Sequence, residues 1–403
     1  MSKSKIWIVV VSTFLVTAIV VSGLTIILCS KILGPRMAPV EVVANDTYAE
    51  LDNVRAMFAN NGLVELPDEE TLIAGAINGM LAVSGDVYSR YFTASDFEAF
   101  KQEEEGLYEG VGITIMVNTE NTAVQVIRIA PDSPAEKAGV MPGDYIIAVE
   151  GEDVDPTDTD TLVSKVRGKV GTEVTVTFYR PSTRKYMDLT MTRQTVTTVR
   201  VTSRMLNDTV GYMEITEFQG DVDTEFHRQI LDLVDQGCKA LVLDLRNNPG
   251  GDKNIVCNVA DMLFPEGPII ITEDKNGVTD VVNSDADCLD LTVVALGNEN
   301  TASASELLIG GIQDYKVGIL MGTSTYGKGV VQGFYYMTDG AVLKLTVEDY
   351  LTGGGRSIQT VGCTPDIEIE PSEELLLNPV LMGSDRDNQL KAALDYLAEK
   401  GFR

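Results

Sequence analysis

The chain has 403 residues, 44% of them apolar and 23% charged, a globular balance with room for two or three domains. Lys+Arg 31 against Asp+Glu 60 leave a formal charge of −29, a field that repels nucleic acid and excludes it as a partner. With a single histidine, His227, a Ser/His/Asp triad would have to use that residue, and lysine is the other side chain able to take a serine proton.

Residues 6–28 carry no charge and, at about 1.5 Å per residue, are long enough to cross a hydrocarbon core of roughly 30 Å. Lys3 and Lys5 precede this run, and Lys31 and Arg36 follow it, so the acidic bulk of the chain sets an N-in, C-out orientation. The run exceeds a signal-peptide core and no A-x-A-like site closes it. We therefore expect a single-pass anchor in the cell membrane, with the remainder extracytoplasmic. Cys29 follows Ile26, Ile27 and Leu28, without the small residues of a lipid-attachment signal. Cys238, Cys257, Cys288 and Cys363 lack C-x-x-C spacing and read as buried small hydrophobes rather than zinc ligands or a redox pair.

Helical periodicity follows at 42–59, with Leu51, Val54, Met57 and Phe58 on one stripe, and at 69–81, with Leu72, Ile73, Ala76, Ile77 and Met80 on another. After the turn string S-G-D-V-Y-S-R-Y-F, residues 94–105 form an acidic helix. Short strands are then predicted at 111–116, 123–129, 145–149 and 172–179, with a helix at 161–166 and turns at A-P-D-S-P and M-P-G-D. Together with G-V-G-I at Gly110, Val111, Gly112 and Ile113, S-P-A-E-K-A-G-V at 133–140 and P-G-D-Y-I-I-A-V-E-G at 142–151, this order resembles a PDZ domain over 108–193. The resemblance implies that the 110–113 loop offers N–H groups to a terminal carboxylate while the adjoining strand edge pairs with the peptide. The acidic loop holding Asp153, Asp155, Asp158 and Asp160 lacks the glycine and glutamate of an EF-hand and reads as solvated.

An α/β pattern occupies the rest: strand 210–215, helix 224–235, the apolar strand 240–245, and strands at 291–296, 317–321, 330–337 and 342–347, before an amphipathic helix at 387–399. His227 falls in the first of these helices as a surface residue. Three motifs carry chemistry. In D-L-R-N-N-P-G-G, residues 244–251, Gly250 and Gly251 free backbone N–H groups and are candidates for an oxyanion hole with the Ala304 amide; a plain turn is the other reading.

In T-A-S-A-S-E, Ser303 lies between a strand and a helix, where helix N–H groups favour developing negative charge. Ser303 and Glu306 also fit a capping box, and Ser305 sits a step into the helix. In T-Y-G-K-G-V-V-Q, strand alternation puts Lys328, Val330 and Gln332 on one face, so Gln332 is placed to hold the lysine amine or a substrate amide. A lysine base must be neutral, which requires burial; Tyr326, Val330 and Val331 are the neighbours able to supply it. Residues 322–328 also spell G-x-x-x-x-G-K, but Gly329 supplies no hydroxyl for magnesium and a strand follows where a P-loop needs a helix.

The strings L-R-N-N-P-G-G, T-A-S-A-S-E, Y-G-K-G-V-V-Q and L-K-L-T-V-E-D-Y-L-T-G-G-G-R-S-I-Q resemble the carboxyl-terminal processing peptidases, or tail-specific proteases. That resemblance implies an α/β serine protease core with an inserted PDZ domain and a helical N-terminal region. It divides the chain into anchor 1–36, helical region 37–107, PDZ domain 108–193, protease core 194–375 and C-terminal helical segment 376–403. It also implies Ser303 as nucleophile, Lys328 as base and Gln332 as the residue orienting it, with Ala304 and the glycine pair as oxyanion donors and no metal or organic cofactor. Protein substrates with apolar C-terminal tails, and a homodimer through the terminal helices, follow from the same likeness. Arg167, in V-R-G-K-V-G-T, matches an R-G pair implied to couple peptide binding to the protease. A non-catalytic tail-binding scaffold with a decayed core is the alternative; intact Ser303, Lys328 and Gln332 argue against it, provided that they converge in space.

Overall fold

The computed structural model describes residues 49–104, 106–118 and 122–403. The span expected at 6–28 lies outside them, and no helix of the described residues is long and apolar enough to cross a membrane. The chain divides into two compact units: the described residues up to Ala94 with Gly333–Leu345, and Ser95–Gln332 with Thr346–Arg403.

In the first unit, α1 (Ala49–Asn61) and α2 (Glu69–Val83) fall where periodicity predicts them. Asp68 caps α2 in an extended conformation, its carboxylate accepting the Thr71 N–H at 2.8 Å. Strand β1 (Arg90–Phe92) pairs antiparallel with residues 342–344. Asn78 of α2 clips it by both accepting the N–H of Tyr91, at 2.9 Å, and donating to its carbonyl, at 3.1 Å. The expected apolar stripes are not buried: Leu51, Val54, Met57 and Phe58 are exposed, and neither helix contains a buried residue. Periodicity identifies a face, not what covers it.

The second unit opens with α3 (Ala94–Glu104) and continues through β2 (Leu107–Gly110), β3 (Ile113–Val117), β4 (Val124–Ile129), β5 (Tyr145–Val149), β6 (Glu152–Asp153), β7 (Glu173–Arg180), β8 (Lys185–Thr192) and β9 (Gln194–Thr197), with helices α4 (Pro134–Lys137) and α5 (Thr159–Val166). The sheet order β3-β4-β5-β7-β8 makes the PDZ domain, and the β2/β9 ribbon carries the chain in and out of it. Alternate residues of β7, Val174, Val176 and Phe178, pack inward with Val124, Val126, Val149 and Leu162. Strand β3 starts two residues later than expected because Gly112, at φ 85, turns the chain first.

The core follows, with β10 (Val201–Met205), β11 (Val210–Ile215), β12 (Ala240–Asp244), β13 (Gly267–Asp274), β14 (Thr279–Ser284), β15 (Thr292–Gly297), β16 (Gly318–Gly322), β17 (Val330–Tyr336), β18 (Val342–Thr352) and β19 (Ile367–Glu368). Its helices are α6 (Val222–Asp235), α7 (Lys253–Asp261), α8 (Ala304–Asp314), α9 (Glu373–Leu377) and α10 (Asn388–Glu399). One sheet runs β10-β11-β12-β15-β16-β19, parallel except at β10. Leu241 and Leu243 of β12 pack with Phe226, Val256 and Leu308 from α6, α7 and α8. Ala240 and Val242, alternating with them, pack with Leu390, Ala393 and Leu397 of α10. Among the described residues the cysteines are free; Cys238, Cys257 and Cys363 are buried as expected, whereas Cys288 is exposed. His227 is exposed on α6.

A buried ion network fastens α10 to the end of β12. The Arg246 guanidinium donates to Asp244, to Asp387 and to Gln389 Oε1, and the Tyr212 hydroxyl donates to Asp244 Oδ2 at 2.8 Å. Asp387 also caps α10, accepting the N–H groups of Gln389 and Leu390. Burial alone would raise the Asp387 carboxyl, but the hydrogen bonds and charge of Arg246, with N–H donors from Gly383 and Leu390, outweigh it and hold the group below its ordinary value. Its contribution is therefore complete above the unfolded pKa of about 3.9 and is lost as pH falls through the lower folded value. Asp387→Ala leaves a buried guanidinium short of one partner and should cost about 3–5 kcal/mol at pH 7, measured by urea unfolding. The gap to wild type should narrow in acid below about pH 3.9.

Candidate active site

Ser303 ends the loop between β15 and α8 with φ 57 and ψ −118, a region that a non-glycine residue occupies at a cost of about 1–3 kcal/mol. Strained strand-to-helix turns of this kind expose a nucleophile. Ser303 and Glu306 are placed as a capping box, yet the serine hydroxyl makes no cap hydrogen bond to the helix. The reciprocal half is closed: Glu306 Oε2 accepts the Ser303 N–H at 2.8 Å. Ser305 is fully buried and donates to the Asn248 carbonyl at 3.2 Å, which excludes it as an exposed nucleophile.

Glu306, fully buried, is the residue whose importance the sequence did not disclose. The oxygen that accepts the Ser303 N–H also accepts the Lys328 N–H, at 2.9 Å. Its other oxygen accepts the Thr325 hydroxyl at 2.5 Å and the Gly327 N–H at 2.7 Å. Four donors thus fill the four lone-pair sites of one carboxylate and draw the two motif loops onto it. Tyr350, from β18, adds a second tie: its hydroxyl lies 2.8 Å from the Ser303 carbonyl and 2.9 Å from that of Lys328. Burial, with the Glu306 charge beside it, pushes this phenol well above its ordinary value, so it remains a neutral donor.

The same contacts dispose of the phosphate-loop reading. The Gly327 and Lys328 N–H groups that would cradle a phosphate are already taken by Glu306, and β17 follows. Lys328 itself stands two residues before β17 rather than within it, and is half-buried. Val330 is buried and Val331 packs on the core, whereas Tyr326 is 56% exposed. Gln332, on β17, reaches the Thr346 hydroxyl with its amide nitrogen at 3.5 Å.

The glycine loop is brought against the serine loop. The Ala302 N–H donates to the Asn248 carbonyl at 2.9 Å, and a Cβ on Gly250 would stand 2.8 Å from both the Ala304 nitrogen and the Ser303 Cβ. Gly250 and Gly251 had both been candidates for an oxyanion donor. The Gly250 N–H is committed to Asn248 Oδ1 at 2.9 Å, leaving Gly251 and Ala304 as the candidate amides with no acceptor among the described residues. Phe218 holds this loop from behind, its N–H donating to the Gly250 carbonyl and its carbonyl accepting the Asp252 N–H, both at 2.7 Å.

Gly110, Val111, Gly112 and Ile113 line a cavity of about 450 Å³ between β3 and α5, together with Ile115, Leu162, Val163 and Val166. Arg167, at the end of α5, lies over the Tyr108 ring at 5.3 Å and lines the same cavity. Glu217 and Val199 of the core also contribute to its wall, and Arg128 of β4 bridges to Glu214 of β11 at 2.6 Å. Among the described residues no cluster of His, Cys, Asp and Glu is arranged to hold a metal.

Residues 209–369 match the sequence model of Peptidase family S41, and residues 125–180 that of a PDZ domain. A carboxyl-terminal-processing protease of Picosynechococcus is 34% identical over 328 residues, covering 80% of this chain and 78% of its own. The chain belongs to peptidase family S41, among the carboxyl-terminal processing proteases. A relative named carboxy-terminal-processing protease from Bartonella bacilliformis is 33% identical across 81% of this chain and 76% of its own. The solved structure of a photosystem II D1 C-terminal processing protease is 29% identical, with a TM-score of 0.52 over 85% of this chain and 98% of that one. As a family S41 member the chain is a serine-type peptidase, and the α/β core with a PDZ domain matches the fold expected from its sequence.

The close approach at Gly250, where φ is 99, makes a direct test. Gly250→Ala should displace the 302–304 backbone and lower kcat by about 10²–10³-fold, the range for losing an oxyanion donor, when hydrolysis of a tailed protein is followed.

Proposed function

We propose that this family S41 peptidase is a membrane-anchored, extracytoplasmic endopeptidase that cleaves proteins near their C-termini with a serine–lysine dyad. The observation that carries the reading is the single oxygen of Glu306 that accepts the N–H groups of both Ser303 and Lys328. Neutral Lys328 Nζ takes the proton as Ser303 Oγ attacks the scissile carbonyl, and the tetrahedral oxyanion is held by the Gly251 and Ala304 amides. The lysine then returns that proton to the leaving amine. Water, activated by the same amine, hydrolyses the Ser303 ester and releases the new C-terminus. Gln332, on the strand that follows Lys328, orients it.

The PDZ cavity is the site for the substrate's tail. Its apolar lining favours an apolar C-terminal residue, while the 110–113 loop meets the carboxylate and Arg167, which lines the same cavity, couples tail binding to the protease. Residues 6–28 are the anchor. Pairing of two copies through the terminal helices belongs to the same reading and is supported by the exposed Leu51, Val54 and Met57 of α1.

Ser303→Ala and Lys328→Ala should each abolish cleavage of a denatured, apolar-tailed protein, and Gln332→Ala should weaken it. Wild-type kcat/KM should fall tenfold per pH unit on the acid side, as Lys328 becomes protonated. Cleavage by Ser303→Ala at the wild-type rate would end the proposal. Substituting a C-terminal carboxamide for the carboxylate should weaken tail binding, measured by anisotropy.

A further inference from the structure

Tyr350 lies on β18 and is 4% exposed. Besides placing its hydroxyl against the Ser303 and Lys328 carbonyls, it donates its own N–H to the Gly329 carbonyl at 3.0 Å. Ser303 and Lys328 are therefore each held at both ends of the residue, the N–H by Glu306 and the carbonyl by Tyr350.

Backbone satisfaction at Ser303 does not require the phenol. The Ser303 carbonyl already accepts the Leu307 N–H inside α8 at 3.0 Å. A phenol carries one proton, so the hydroxyl shares it between two carbonyls that belong to different loops. What the contact adds is relative position. The same strand also secures the far end of the helix that begins after Ser303: the Thr352 hydroxyl donates to Asp314 Oδ2 at 2.5 Å, at the end of α8. Strand β18 thus acts as a splint along α8, and Tyr350 is the point at which it meets both reacting residues.

We infer that Tyr350 is a positioning residue of the dyad, its hydroxyl fixing the spacing of nucleophile and base by bridging their carbonyl groups. This rests on the reading of Ser303 as nucleophile and Lys328 as base. It touches neither substrate nor a reacting atom and acts through the two residues that do. Because displacement by about 1 Å can cost about 10²-fold in rate, loss of one bridging hydroxyl should appear in turnover rather than in substrate binding.

Tyr350→Phe keeps the ring and its packing and removes only the hydroxyl. The full chain is titrated with a serine-reactive fluorophosphonate, and kcat is expressed per labelled site so that misfolded molecules do not count. We expect kcat per labelled site to fall about 10–10²-fold, with KM for a tailed protein and anisotropy-measured tail binding within about twofold of wild type. Fewer labelled sites, each turning over at the wild-type rate, would assign Tyr350 to folding alone and overturn the inference. Parallel assays of Ser303→Ala and Lys328→Ala separate the two levels. If either remains active, the dyad reading fails; if both are inactive while Tyr350→Phe turns over normally per site, only the role of Tyr350 fails.

Discussion

The catalytic region depends on one buried carboxylate. A charged group taken out of water is tolerated only when its lone pairs are satisfied, and Glu306 meets that condition by collecting donors from positions 303, 325, 327 and 328. The loop after β16 cannot move away without stripping the carboxylate of three partners, so the position of the Lys328 main chain is tied to that of Ser303 by a desolvation penalty. Thr325 extends the arrangement by accepting the Cys363 N–H at 2.7 Å. Burial beside Glu306 pushes the Cys363 thiol up to about 12, which leaves it a protonated thiol, 3.4 Å from the Glu306 carbonyl, rather than a rival nucleophile.

A second constraint comes from the turn after β11. Glu217 lines the PDZ cavity, and its neighbour Phe218 pairs by backbone with the glycine loop. Gly251 cannot carry a side chain there, since a Cβ would lie 2.1 Å from the Phe218 carbonyl oxygen. Arg200, buried beneath the ribbon, holds Glu217 through a 2.6 Å ion pair. One short stretch of chain therefore forms part of the PDZ cavity and part of the backing of the amide at Gly251. On the other side of β12, Arg246 joins the start of the same loop to α10, so the loop is braced from both faces of the sheet.

Ser303, Lys328 and the glycine pair could be singled out in the sequence from residue type and from the strand–turn–helix order around them. The network that joins them could not be. Glu306 reads locally as the third residue of a capping box, since local sequence relates it only to Ser303; its remaining donors lie 19 to 22 positions away. Tyr350 sits 47 positions from Ser303 in an alternating strand, and alternation assigns a face without naming a partner. Helix α7 escaped notice because nine residues hold too few turns for a periodic pattern, although Asp252 caps it by accepting two N–H groups. The stripe on α1 failed in the opposite sense: the helix formed, but its apolar side chains remain exposed.

The lysine base proposed for this chain poses a problem that a histidine base does not. Its four-carbon stem carries about 2 kcal/mol of rotamer entropy, and a point charge at its tip has no planar geometry to orient it. Fixing the main chain of Lys328 at both its N–H and its carbonyl removes motion of the stem's origin. Ser303, with a short side chain, needs its strained backbone held instead, and the same two residues do so. The fold thus places its rigidity in the peptide units of Ser303 and Lys328.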